Sequence, residues 1–256
     1  MKKIFLYTSL AALLFIVNSC EKDTVYRAER TFTNPGTALL KINYASAYAT
    51  NPSVQLSIND VRVSGLIAGR TPFPGGGYNT NGSSFGDYLS LTPGTNVLSI
   101  SIPKKNTNVD SVLLYKTTLT LEANKNYTVH VADTFARTKS LLVTDNLNFP
   151  DVNTSRFKFV NLIPNAPLVD LYYGTTKVAS AIPYLGSSAE FTLPATPAII
   201  ASWAIRETGT SPTSTALATY ISSNTLLNQR VYTVFSMGYK SGTGVLLPFV
   251  SFFLNK

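Results

Sequence analysis

The feature that most constrains this chain is an alternation of apolar and polar residues with a period of two. It occurs at residues 53–58, 98–102, 117–121 and 127–131. Successive side chains of a β-strand point to opposite faces of its sheet, so this alternation predicts half-buried strands. Helical periodicity is absent after residue 20, and short strands separated by turn residues favour a β-sandwich or barrel.

Composition supports an all-β protein large enough for two domains. Thr, Ser, Asn, Val, Tyr and Phe are abundant, and only 13% of the 256 residues are charged. These residue types favour strands over helices, and a chain of this length usually divides into domains. The net charge is +8, but the basic residues are dispersed. We therefore expect no nucleic-acid partner.

An internal repeat predicts two copies of one module. Residues 41–63 and 158–178 each contain an apolar strand, a Pro-containing turn, a second strand and a two-residue hairpin turn. We predict domains at residues 38–148 and 149–256. The first copy is longer by about 13 residues, which form part of a Gly-rich segment at residues 70–88; we call this segment the insertion.

The second copy resembles a known family. Its opening, "RFKFVNLIPNAPLVDLYYGTTKVASAIPYLGSSAEFTLPA", resembles the start of the DUF4397 domain, and the first copy shares its strand order but has Gln55 in place of Asp170. The resemblance implies an all-β fold of two tandem immunoglobulin-like antiparallel β-sandwiches on a cell-envelope protein, with no catalytic residues and no established ligand. The matching residues are Arg156, Asn161, Pro164, Ala166, Pro167, Val169, Asp170 and Gly174.

The N-terminus has the pattern of a lipoprotein signal peptide, which we assign to residues 1–19. Two lysines precede an apolar stretch at residues 4–17. As a helix this stretch rises about 21 Å, which is short of the ~30 Å hydrocarbon core of a membrane. The run from Val17 to Cys20 resembles the lipobox of bacterial lipoproteins, which implies cleavage before Cys20 and lipidation of its thiol. Cys20 is the only cysteine; the alternative is a buried free thiol.

The resemblance to lipoproteins also predicts the location of the protein. We expect residues 20–37 to form a lipidated tether, with the membrane as a partner through the lipid on Cys20. Residues 21–23 resemble the signals that send lipoproteins of the Bacteroidetes to the outer face of the outer membrane. We therefore expect an outer-membrane lipoprotein that faces the periplasm or the cell surface.

The residues needed for catalysis are scarce, so we predict no enzyme, no cofactor and no metal site. His130 is the only histidine, and its position predicts the polar face of a strand rather than a general base. The carboxylates are dispersed, whereas a metal site needs clustered ligands. We interpret Asp170 as a structural residue of the preceding Pro-rich turn and Trp203 as a core ring.

Two sets of residues remain as candidate sites. The insertion carries Phe73, Tyr78, Phe85 and Tyr88 among Gly, Asn and Ser, a mixture typical of binding loops. We expect it to project from one end of the first sandwich as a ligand-binding loop; alternatively, its rings fold back onto that sandwich. Thr24 and Ser111 lie in Asp-Ser/Thr-aliphatic runs that resemble the O-glycosylation sites of exported Bacteroidetes proteins.

These observations predict a non-catalytic binding or scaffolding protein of the cell envelope, whose ligand the sequence does not identify. A glycan or an envelope protein would be its partner. One alternative is a carbohydrate-binding accessory of a surface glycan-uptake system. A second is an adhesive or structural surface subunit that exchanges strands with a partner.

Overall fold

The computed structural model describes residues 35–107 and 109–256, and this part of the chain folds into β-strands with three short 3-10 helices. The all-β prediction is confirmed. Within the described residues, no helix is long and apolar enough to span a membrane. The predicted signal peptide and most of the predicted tether lie outside the described residues.

The strands divide into two successive groups of nine. The first group comprises β1 (Ala38–Tyr44), β2 (Gln55–Ile58), β3 (Val61–Arg62), β4 (Thr71–Phe73), β5 (Leu89–Leu91), β6 (Gly94–Pro103), β7 (Asp110–Leu121), β8 (Asn126–Ala132) and β9 (Lys139–Asp145). The second group comprises β10 (Thr154–Asn161), β11 (Leu168–Tyr173), β12 (Thr176–Pro183), β13 (Gly186–Ser187), β14 (Phe191–Pro194), β15 (Trp203–Glu207), β16 (Ala218–Tyr220), β17 (Val231–Met237) and β18 (Phe249–Leu254).

Both halves use the same strand order. In the first half, one sheet has the order β4-β1-β8-β9, with β5 also paired to β1, and the other has the order β3-β2-β6-β7. In the second half, the corresponding orders are β13-β10-β17-β18, with β14 paired to β10, and β12-β11-β15-β16. We call the sheets that contain β1 and β10 the inner sheets. The predicted domain boundaries and the immunoglobulin-like assignment stay predictions.

The sheets are not purely antiparallel, which corrects one detail of the expected fold. β1 pairs with β8 in parallel, and β10 pairs with β17 in the same way. The other strand pairs of the described residues are antiparallel. In each half the parallel partners lie far apart in sequence, because the strands of that half's other sheet come between them along the chain.

Each half has its own hydrophobic core between its two sheets. Alternate residues of β1, such as Leu40 and Ile42, point into the first core, and Phe157 and Phe159 of β10 point into the second. Trp203 is fully buried in the second core, where its indole N–H donates to Thr225 Oγ1 at 3.0 Å. The prediction of a core ring at this position is confirmed.

The inner sheets pack against each other through their remaining faces. Ala45 and Ala132 of the first half form one apolar cluster with Val160, Phe235 and Phe253 of the second. All seven residues of β1 and all seven of β17 are therefore buried. The described chain is a stack of four sheets in which the two central sheets are covered on both faces.

Substitution of Phe253 tests whether this contact joins the halves energetically. Phe253→Ala removes a fully buried ring from the junction, and we expect a loss of about 3–5 kcal/mol in the free energy of unfolding, measured by urea denaturation. Ile199→Ala, at a side chain that is 83% exposed, is the control and should change stability by less than about 0.5 kcal/mol. Equal small effects of the two variants would contradict the contact.

Candidate functional site

The insertion lies along the junction between the halves. The backbone N–H of Tyr78 donates to the Phe252 carbonyl at 2.7 Å, and the N–H of Phe252 donates to the Tyr78 carbonyl at 2.9 Å. The side chain of Asn79 donates to the Val250 carbonyl, and the hydroxyl of Ser251 donates to the Asn79 carbonyl. The insertion of the first half thus covers the outer edge of β18 in the second half.

Glycine allows this close approach of two backbones. Gly77 has φ of +136°, a conformation that L side chains rarely adopt, and a Cβ atom there would overlap the carbonyl oxygen of Phe252. Gly77, the last of the three glycines at residues 75–77, therefore serves docking between the halves.

A buried lysine of the first strand fixes the start of the insertion. The Lys41 ammonium donates to the carbonyl oxygens of Pro74 at 3.1 Å and Gly75 at 3.0 Å. It also lies 4.8 Å from the ring centre of Tyr88 and 5.7 Å from that of Phe253, close enough for cation–π attraction. Burial lowers the pKa of Lys41 to about 7, although the nearby carboxylate of Asp145 opposes the shift.

A buried carboxyl group fixes the end of the insertion. The Tyr88 hydroxyl donates to Asp145 Oδ2 at 3.0 Å, and the Thr128 hydroxyl donates to the same oxygen at 2.6 Å. Burial raises the pKa of Asp145 to about 6, against the opposing effect of these two hydrogen bonds. Lys41, Tyr88 and Asp145 therefore form a titratable cluster at one end of the junction.

The Asp145 carboxyl predicts a pH dependence of stability. Its folded-state pKa of about 6 lies above the ordinary value of 3.8, so Asp145 stabilises the fold while it is neutral, and this contribution is lost as the pH rises through about 6. Relative to Asp145→Asn, the wild type should lose about 2 kcal/mol of unfolding free energy between pH 4 and pH 6. Urea denaturation at both pH values measures this difference.

The exposed carboxylate of Asp60 provides the control. The Asp60 side chain is 86% exposed, and Asp60→Asn should keep the pH dependence of the wild type. Parallel pH profiles for the wild type and Asp145→Asn would contradict the assignment.

The structure disperses the four aromatic residues predicted for a binding loop. Phe73 packs against the first core and Tyr78 against the second, while Tyr88 is only 1% exposed and Phe85 is 51% exposed. The expectation that the insertion projects from one end is wrong, because pairing with β18 and the Asp145 hydrogen bond draw it into the junction. Contact of these residues with a ligand stays a prediction.

A paired glycine substitution tests the docking of the insertion. Gly77→Ala should lower the thermal midpoint strongly, because it adds a steric clash with β18 to the backbone strain. Gly94→Ala has comparable strain, with φ of +111°, but a Cβ atom there meets nothing within 4 Å. Differential scanning calorimetry should show a several-fold larger effect for Gly77→Ala, and similar shifts would contradict the docking.

His130 lies in the interior of the molecule. It is on the face of β8 that the second half covers, and its ring is fully buried 5.8 Å from that of Phe253. The Asn43 side-chain amide lies 3.1 Å from its Nδ1 atom. Burial, together with the charge of Lys158, lowers its pKa to about 3. A residue with this pKa is a weak base at neutral pH.

Asp170 has a structural role, but its partners differ from those predicted. Its Oδ1 atom accepts from the Ala181 N–H at 2.7 Å and from the Thr208 hydroxyl at 2.8 Å, and Lys177 pairs with Oδ2 at 2.6 Å. Burial alone would raise its pKa, but these contacts outweigh burial and lower it. Asp170 therefore fixes β12 where its pairing with β11 is irregular and where Ala181 has φ of +53°. It does not hold the preceding Pro-rich turn.

A cleft of about 80 Å³ opens at the other end of the junction. Its polar wall comes from the first half, with Ser46, Asn51, Arg70 and Asn81, and its apolar wall from the second half, with Met237, Val245 and Phe249. The Arg70 guanidinium lies 4.3 Å from the ring centre of Phe249, and its Nη2 donates to Asn81 Oδ1 at 3.1 Å. Burial lowers its pKa from the usual value.

The structure does not describe the side chains of the three remaining predicted positions. Cys20 and Thr24 lie outside the described residues, and Ser111 belongs to β7 but its side chain is not described. Within residues 35–107 and 109–256, no group of three His, Cys, Asp or Glu side chains could hold a metal ion.

Sequence reasoning missed Lys41, Asp145 and Arg70 as important residues. The signal for Lys41 was a charge between Leu40 and Ile42 in an apolar strand, which indicates either an exposed face or a buried cation. Nothing local in the sequence distinguishes these two cases, because the insertion and Phe253, both distant in sequence, provide the cover.

A comparison with known protein families gives a match. The family described as "Domain of unknown function (DUF4397)" matches residues 40–172, which is just over half of the chain. The protein belongs to this family. The match starts in β1 and ends in β11, so it includes the first half, where the sequence motif was weak. No curated protein matches the chain.

Proposed function

We propose that this protein is a lipid-anchored lipoprotein of the bacterial outer membrane that acts by non-catalytic binding or scaffolding. The observation that carries the proposal is the sequence Val17-Asn18-Ser19-Cys20, placed after an apolar segment and ahead of a β-rich body that starts at residue 38. Several acyl chains on Cys20 would provide a stable anchor, since each buried methylene contributes about 0.8 kcal/mol. In this proposal the halves are tandem DUF4397 modules.

The roles of the titratable residues support binding over catalysis. His130 is buried with a low pKa, and Asp145 and Asp170 accept hydrogen bonds that connect strands and loops. General acid–base catalysis needs a group that can exchange a proton near neutral pH beside an open site. Lys41 and Asp145 have pKa values of about 7 and about 6, but both are buried and neither lines the Arg70 cleft. The cleft itself is small, which suits recognition of a ligand or partner.

The two alternatives gain less support from the placement of the insertion. A glycan platform usually presents exposed aromatic faces, but Tyr88 is buried and Phe73 and Tyr78 pack against the cores. Strand exchange needs a free sheet edge, and one edge of the second half, that of β18, already pairs with the insertion. We therefore propose binding or scaffolding ahead of either alternative.

Lipidation is tested at Cys20. We expect Cys20→Ala to move the protein out of the membrane fraction and to abolish incorporation of a labelled fatty acid, because the thiol is the attachment point. Asn18→Ala is the control: it keeps a small side chain in the lipobox and should be labelled and sediment as the wild type does. A wild type that takes no label, together with a Cys20→Ala protein that still sediments with membranes, would overturn the proposal.

A further inference from the structure

The cleft at the junction contains a positive charge that lacks a counter-ion. Among the described residues, no carboxylate forms an ion pair with Arg70, and its Nε atom is buried without a hydrogen-bond partner. A partly buried cation without a counter-ion is costly, because burial removes hydration that nothing replaces. The structure therefore contains a site whose electrostatics an anion would complete.

The guanidinium is also held in a fixed orientation. The ring of Phe249 stacks against it, and Asn81 accepts from Nη2 while its own side-chain amide donates to the Gly69 carbonyl at 2.8 Å. A planar guanidinium that is fixed before binding can donate two parallel hydrogen bonds to a carboxylate with little loss of conformational entropy.

A second buried polar group without a partner lines the same cleft. Ser46 is 2% exposed, and its hydroxyl makes no hydrogen bond within the described part of the chain. Native proteins rarely leave a buried hydroxyl unsatisfied. Asn51 adds a side-chain amide whose oxygen already accepts from the Gly69 N–H at 3.1 Å, which leaves its NH₂ group available as a donor.

The size and the opposite wall of the cleft limit the ligand. A cleft of about 80 Å³ suits a small molecule rather than a polymer. Met237, Val245 and Phe249 provide an apolar surface opposite the donors. One guanidinium balances one negative charge, which favours a monoanion over a phosphate dianion.

We propose that this cleft binds a small aliphatic monocarboxylate, with its carboxylate on Arg70 and Ser46 and its short hydrocarbon chain against Met237 and Val245. The inference rests on the proposed binding function and names the chemical class of the ligand. It is independent of the lipid anchor, because the cleft is formed by described residues far along the chain from Cys20.

Binding of butanoate to the purified full chain in non-ionic detergent tests the proposal. Isothermal titration should give a Kd on the order of 1 mM, and amide NMR shifts should concentrate at Ser46, Gly69 and Met237. Butan-1-ol, which has the same chain length without the charge, should bind at least tenfold more weakly. Inorganic phosphate should not compete with butanoate.

Two variants and a control make the test specific. Arg70→Gln should weaken butanoate binding at least tenfold, and Val245→Trp, at a position that is 44% exposed, should block the cleft while leaving Arg70 intact. Arg62→Gln makes the same chemical change at a residue that does not line the cleft and should bind as the wild type does. Amide spectra establish that each variant is folded.

Several outcomes would overturn the proposal. These are an absence of butanoate binding to the folded wild type, equal binding of butan-1-ol, tighter binding of phosphate, or unchanged affinity in Val245→Trp. Each outcome leaves the lipidation experiment at Cys20 unaffected, so failure of the ligand assignment is distinguishable from failure of the proposed anchor.

Discussion

The packing of the two inner sheets against each other is the contact on which the rest of the structure depends. It buries both faces of β1 and β17, and it places polar residues such as Lys41 and Asp145 out of reach of solvent. Apolar side chains, including Phe235 and Phe253, occupy the centre of the junction. The titratable cluster of the first half and the Arg70 cleft lie beside this centre, and the cleft takes residues from both halves.

The strands were predictable because they depend on local patterns. Alternation at residues 53–58 and 127–131 corresponds to β2 and β8, and the hairpin turn at Asn59 and Asp60 forms with positive φ at both residues, as a tight turn between twisted strands requires. Trp203 was predictable because its phase within β15 sets the face on which it lies. Period-two patterns record which face of a strand is apolar, whatever the partner sheet.

The candidate site was less predictable because it arises between elements distant in sequence. The alternation in β8 correctly predicted the face on which His130 lies. The second half covers that face, so the residue is buried. The insertion contains no alternating pattern, and its aromatic residues read equally well as a binding loop or as packing. The pairing of Tyr78 with Phe252 depends on backbone hydrogen bonds, and these have no residue-specific signal except the glycines that permit them.

The contact between the insertion and β18 also constrains the order of folding during chain synthesis. Asn79 and Ser251, which form one of its hydrogen bonds, are separated by 172 positions. A polypeptide that emerges N-terminus first therefore presents the insertion long before its partner strand exists. During that interval the face of β1 that carries Lys41, together with Ala45 and Ala132, lacks the cover that the second half provides. Residues 249–254, which include Phe253, contribute to this cover.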